Sequence, residues 1–497
     1  MRGFLRFRFR PDDVAARLPS LRRAYMTGLD RMPGRTTIEV RPGLLICHRD
    51  DPESGRLHVP WPVEGFGLPV VSTATLAERD EPYDLAVELA RGRLNDVRNQ
   101  AADWQLQGLE TFPELDQRLL EASRAFAHAA TSRDDPTAAA ESAQRSLVAS
   151  FRAAELLMAA YTEQVLRRRR DYSNRLSTLL SCGLEGDPKK KPGYAALLPA
   201  FNAARINCSW ARLAPTEGRL RWEEADAQLA WCRANKLTVS AGPLIELRPG
   251  RLPDWLWLWQ GDYEQIAGMA EELTRQAVAR YRGKITTWHL VHRAGTAEVL
   301  GLGEEEQVRL TALVLKTARR VDPDAQLVID FERPWAGWLA SGNFQLGPLH
   351  LADSLARAEL GLSGVGLELA PGFSPPGSHF RDLLDVSRLL DLFALVGLPL
   401  HVSFAMPSSV EPDPKADPSI TVEAETLPRR PDEAFQRVLA AQWIALAVAK
   451  PFVRSVHWQQ SEDAEPHLFP HAGLLRPDGT PKPLVQWLAS FRAEYLE

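Results

Sequence analysis

Hydrophobic and polar positions alternate near the start of the chain. Leu5, Phe7 and Phe9 fall on one face and Arg6, Arg8 and Arg10 on the other, the period of a half-buried strand over 4–10. Further strands are expected at 36–48, 56–61 and 68–72, punctuated by Arg41-Pro-Gly43 and Asp50-Asp-Pro-Glu-Ser-Gly55. The period then lengthens. Val87, Ala90, Leu94, Val97, Ala101 and Trp104 recur at helical spacing. A second helix is expected over 114–130. A third spans 136–170, with Asp135 as N-cap, Pro136 at the first position and four arginines at its end. From about 195 onward, short apolar runs alternate with helical patterns. The runs are Ala203–Cys208, Thr238–Ile245, Thr286–Val291, Gln326–Phe331, Gly364–Leu369, Leu398–Phe404 and Val453–Trp458, with Leu197–Ala200 or a neighbour as the first. Eight such units predict an α/β chain, a (β/α)8 TIM barrel behind an N-terminal β plus helical module. The expected divisions are 1–80 (small β module), 81–180 (helical region) and 195–497 (barrel), with the boundary in Cys182-Gly-Leu-Glu-Gly-Asp-Pro-Lys-Lys-Lys-Pro-Gly193.

Composition narrows the function classes. A 497-residue chain with 45% apolar and 25% charged residues has the balance of a globular protein with a large core. A net charge of -5 argues against a dedicated nucleic-acid partner. No run approaches the ~18 apolar residues of a membrane helix. Cys47, Cys182, Cys208 and Cys232 form no C-x-x-C pair and read as free thiols of a reducing compartment. The basic start lacks a signal-peptide apolar region, so a cytoplasmic location is the expectation. No cofactor is indicated. His457, His467, His471, Glu462, Asp463 and Glu465 share a neighbourhood but match no ligand spacing, so no metal is expected either. Trp255, Trp257 and Trp259 read as packing residues.

Several local motifs occur in a telling order: Leu213-Ala-Pro-Thr-Glu-Gly218 with Trp222, Leu252-Pro-Asp-Trp255, Tyr281-Arg-Gly-Lys-Ile285 with Trp288, Gly364-Val-Gly-Leu367, Gly397-Leu-Pro-Leu-His-Val402, and Leu474-Leu-Arg-Pro-Asp-Gly-Thr-Pro-Lys-Pro483. Collinear over about 300 residues, they resemble the barrel of the family 10 glycoside hydrolases, the xylanases. That resemblance implies a retaining mechanism. Two carboxyl groups about 5–5.5 Å apart would serve as acid/base and nucleophile. The resemblance puts Arg293 at the acid/base place and Phe404 at the nucleophile place. A guanidinium cannot deliver a proton at working pH and a phenyl ring has no nucleophilic atom. Arg205-Ile-Asn-Cys-Ser-Trp210 and Pro243 likewise stand where the family has sugar-contacting residues.

Three readings follow. The first is a xylanase-like protein without the family's reaction, binding a carbohydrate or other polar small ligand through His292, Arg293, Trp210 and Trp458. The second is an active hydrolase with carboxylates relocated to Glu246, Asp330, Glu332 or Glu368, each at a strand end. The third is an assembly subunit with a non-catalytic barrel, forming a homo-oligomer through its N-terminal module.

Overall fold

A computed structural model of the chain describes residues 3–9, 19–50, 52–132, 134–375 and 377–497. Eight parallel strands close into a barrel: Leu179–Gly183, Ala203–Ile206, Thr238–Ala241 with Ile245–Glu246, Thr287–His292, Gln326–Glu332, Gly364–Leu369, Leu400–Phe404 and Val453–Trp458. Closure comes from the eighth strand pairing with the first, Ser455 opposite Leu179 and His457 opposite Ser181. Helices flank the strands from Glu223–Ala234 through Glu433–Ala449, and Pro483–Tyr495 follows the last.

The first strand differs from expectation. It is Leu179–Gly183, upstream of 195, while Pro192–Leu197 forms a 3-10 turn. Its five residues, Leu-Leu-Ser-Cys-Gly, are too short and too mixed to stand out by pattern. The Gly/Pro/Lys segment expected to separate domains is instead the loop after that strand, on the barrel mouth.

Among the described residues ahead of the barrel lie two four-stranded sheets and three long helices, Leu85–Leu106, Pro113–Thr131 and Pro136–Ser173. The first strand, Gly3–Arg8, runs antiparallel to Leu44–Arg49 with Phe7 opposite Leu45; Arg10, expected to end it, lies outside the described residues. Asp135 caps the long helix by accepting from the N–H groups of Thr137 and Ala138, as the sequence predicts. Its terminal arginines are occupied within the chain. Arg167 pairs with Glu163, Arg170 with Glu494, and Arg168 and Arg169 donate to the carbonyls of Gly108 and Val448. Arg93 ion-pairs with Asp382 at the start of the barrel helix Leu383–Ala394, so charges that are buried together tie the module to the barrel. Among the described residues no helix is long and apolar enough to cross a membrane.

Barrel strands alternate side chains between axis and helix layer. Leu, Val and Ile fill the outward positions; the inward ones are polar to an unusual degree for a barrel core. Arg205, His289, Asp330, His401 and His457 all point into it and are largely buried. Two glycines make that possible. A Cβ on Gly366 would lie 1.8 Å from Asp330 Oδ1, and one on Gly364 would lie 2.7 Å from His401 Nε2.

Candidate ligand site at the barrel mouth

At the C-terminal ends of the strands lies a cavity of about 130 Å³. Its floor is set by the polar core. Arg205 Nη2 donates to His289 Nε2 at 2.9 Å, and His289 Nδ1 donates to both oxygens of Asp330 at 2.9 Å, which fixes one neutral imidazole tautomer. Burial lowers the pKa of His289 and that of Arg205, the latter to about 10. Burial alone would raise Asp330; His289 and Arg205 outweigh it and hold the carboxyl far below the usual carboxylate range. Asp330 is therefore a fixed anion and cannot act as a proton donor near neutrality.

Above this floor, His292 stands between two strand-end glutamates. Its Nδ1 is 3.9 Å from Glu246 and its Nε2 is 3.4 Å from Glu368. Glu368 accepts from Gln459 Nε2 at 2.7 Å. The three groups come together because Glu246 and His292 end their strands, Glu368 is next to last on its own, and all line the cavity. Glu246 is pushed up by burial but held below its ordinary pKa by Arg248, Arg251 and His292. His292 Nε2 has no hydrogen-bond partner among the described residues. Asn207, Ser403 and His457 complete the inner wall.

Glu332 is set apart from these acids. Its side chain has no solvent exposure, accepts from Arg248 and Arg333 (both 3.0 Å), and is ion-paired with Arg293 at 2.9 Å. Burial would raise its pKa, yet the three guanidiniums hold it below the ordinary value. Arg293 and Arg333 each follow a strand end in the left-handed region, φ 68 and 45. That conformation is uncommon for side-chain-bearing residues, and here it turns both guanidiniums toward the same carboxylate. Arg293 is thus a partner of Glu332 and does not line the cavity.

Phe404, the last residue of its strand, faces the helix layer, edge-on to Trp443 at 6.0 Å. The inward residue at this strand end is Ser403, opposite Glu368 and His457. Trp458 has the same outward parity and donates its Nε1–H to the carbonyl of Ala472 at 2.9 Å. Trp210 is buried against Trp255, and neither it nor Trp458 reaches the cavity. Trp255, Trp257 and Trp259 pack on the core at partial burial. Of the residues expected to contact ligand, His292, Glu246, Asp330 and Glu368 are brought together, and Arg293, Trp210, Trp458 and Glu332 lie elsewhere. His289, Ser403 and Gln459 were missed; counting inward parity along each strand finds the first two.

Asp413, Asp463 and His467 place ligand atoms within 4.8 Å of one another and could hold a cation. In this structure Asp463 accepts from Lys482 Nζ at 2.6 Å, and Asp413 accepts from His467 Nε2 at 3.0 Å. Both carboxylates thus already have hydrogen-bond partners within the chain.

The barrel defines a (β/α)8 protein, part of which is similar in sequence to the glycoside hydrolases. Its residues 203–340 match the sequence model of Glycosyl hydrolase family 10. A 138-residue stretch is 29% identical to endo-1,4-beta-xylanase C of Paenibacillus barcinonensis, covering 23% of this chain and 12% of that protein. The chain therefore spans about an eighth of this curated relative's length. Among solved structures, a family 10 protein from Paenibacillus barcinonensis superposes with TM-score 0.48 and 18% identity, covering 65% of this chain and 96% of its own. Native xylanase 10B from Thermotoga maritima gives TM-score 0.48, 14% identity, and 65% and 98% coverage.

Proposed function

We propose that the barrel mouth binds a small polyhydroxylated ring, a monosaccharide or the terminal sugar of a chain, and that the family's retaining reaction does not operate here. The observation that carries this reading is the cavity in which Glu246 and Glu368 flank His292 over Arg205 and Asp330. A ring of hydroxyls needs alternating donors and acceptors at close range, and this wall offers both. A volume of about 130 Å³ resembles the ~150 Å³ cavity that accepts one benzene ring, so it suits one sugar rather than a long polymer. The resemblance puts Arg293 and Phe404 at the catalytic glutamate places. One is held on Glu332 and the other faces the helices, which supports loss of that mechanism.

One feature favours a second reading, a hydrolase with relocated carboxylates. Glu246 and Glu368 are the two glutamates that face one another across His292. Glu246, held ionised, suits a base or nucleophile. Glu332 is excluded from such a pair by its three guanidiniums. An open mouth also speaks against a barrel used purely as scaffold.

The test is calorimetric titration of the full chain with glucose, xylose and xylobiose, beside a turnover screen on aryl glycosides. Binding without turnover, lost in E246Q and E368Q, is the expected result. Turnover abolished by either substitution would replace it with the second reading. Saccharide binding unchanged by both substitutions would refute the assignment of the cavity.

A further inference from the structure

A second cavity, of about 320 Å³, lies between the N-terminal module and the barrel loops after strands five, six and seven. It shares no lining residue with the first. Its two sides are locked together: the Tyr25 ring packs so closely on Gly337 that an added Cβ would sit 2.8 Å from it, and Arg381 donates to the Tyr25 hydroxyl.

Three residues that line the cavity carry unused donors. Arg333 Nε, Trp338 Nε1 and the Ser378 hydroxyl are buried behind its wall, and none has a hydrogen-bond partner among the described residues. Ser378 is only 7% exposed, so its hydroxyl cannot rely on bulk water. Buried polar groups ordinarily find partners, and a cluster of donors left without them marks a place for an acceptor. The charge agrees. Arg22, Arg333 and Arg381 face the cavity, while its one acid, Glu423, is taken by both Nη groups of Arg23 at 3.0 and 3.2 Å. Arg333 keeps an excess of positive charge, because the Glu332 carboxylate is shared with Arg248 and Arg293. His379, also on this wall, is kept neutral by burial and by Arg23 and Arg381 nearby, with its pKa lowered to about 4. Trp335 and Trp338 are half-buried there and present ring surface to the cavity. Flat aromatic faces suit the apolar face of a ring.

We propose that this cleft binds an acidic sugar, with its carboxylate or phosphate on Arg333, Trp338 and Ser378 and its ring against Trp335. Planar guanidinium and neutral N–H and O–H donors are the usual recognition set for such an anion.

The test is calorimetric titration of the full chain with glucuronate, glucose 6-phosphate and neutral glucose, in wild type, W338F and S378A. W338F keeps an aromatic ring, smaller than the indole, and removes the N–H. S378A removes an unsatisfied hydroxyl and leaves folding undisturbed. At least one acidic sugar should bind tenfold or more tightly than glucose, and each variant should weaken it about five- to tenfold. The tighter of the two acidic sugars identifies the anionic group. Equal affinity for glucose, no binding of either acidic sugar, or full affinity in both variants would overturn the proposal. So would loss of acidic-sugar binding in E246Q or E368Q, because it would put the ligand in the first cavity.

Discussion

Replacing His401 with Gln tests whether the barrel's polar core is held neutral. His401 is 6% exposed, and its Nδ1 lies 2.8 Å from the Ser455 hydroxyl. Burial, with His289 and Arg205 nearby, lowers its pKa from 6.5 to about 3. The unfolded chain therefore takes up a proton near pH 6.5 that the folded chain refuses. Stability from this group is complete above pH 6.5 and falls by about 1.4 kcal/mol per pH unit below it, until the folded value is reached. At pH 5 the loss from His401 alone is about 2 kcal/mol by that slope. His58 and His457 are lowered well below their ordinary value and His379 to about 4, all chiefly by burial. All three change stability in the same direction as His401, so acid weakens the fold through several buried imidazoles at once. The assay is urea unfolding at pH 7.5, 6 and 5. H401Q should be less stable than wild type at pH 7.5, by about 1 kcal/mol for the altered Ser455 contact. The difference should shift by about 2 kcal/mol in the variant's favour at pH 5. Parallel curves for the two proteins across this range would refute a neutral, buried His401.

Three further outcomes are expected. E332Q leaves three guanidiniums around a neutral amide and should lose about 3–5 kcal/mol at pH 7. Because the Glu332 pKa is lowered in the fold, that stabilisation exists above about pH 4.3 and fades as pH falls through the folded value, so a gap in urea midpoints that persists in acid would contradict it. Burial raises all four thiols, Cys47 and Cys232 to about 12; none should react with Ellman's reagent at pH 8 before unfolding, and rapid labelling of any one would show an opening absent from the fold. R93Q strips Asp382 and Asp385 of their shared cation and should speed limited proteolysis between module and barrel; an unchanged cleavage rate would mean the contact is not what joins them.

The barrel was legible because its signals are long and repeated. Helices with broad apolar stripes, such as Glu304–Val321, and strands buried on both sides, such as Gly364–Leu369, write their period into the chain. The first strand was not, because Leu179–Gly183 has five residues and its inward positions are Ser181 and Gly183. At the mouth, Glu246, His292, Asp330 and Glu368, picked out by their strand ends, line one cavity. The strand ends could not tell which acid would be free. That depends on where three arginines distant in sequence converge, and a positive φ at Arg293 and Arg333 decides it. Trp458 was placed at the mouth by its position near a strand end, without the alternation that sends every second side chain, Phe404 included, toward the helices.

That alternation makes a sharp prediction about reinstating a carboxylate on strand seven. Phe404 is fully buried against Trp443. F404E would leave a carboxyl in the apolar layer between strand and helix while removing a phenyl ring. Loss of the ring costs about 3–5 kcal/mol, and the unpaired acid adds to it. Ser403, one residue earlier, points at the cavity, within reach of Gln459 at 3.5 Å. A glutamate there meets donors and solvent, so S403E should melt within a few degrees of wild type while F404E fails to fold or melts far lower. Neither should turn over xylan when combined with R293E, because a glutamate at 293 would stand beside the Glu332 carboxylate with one fewer guanidinium to neutralise the pair. Thermal melts of S403E and F404E decide the parity. If F404E holds wild-type stability and S403E collapses, the side chains of strand seven face the other way, and the cavity wall assigned to Ser403, Glu368 and His457 falls with it.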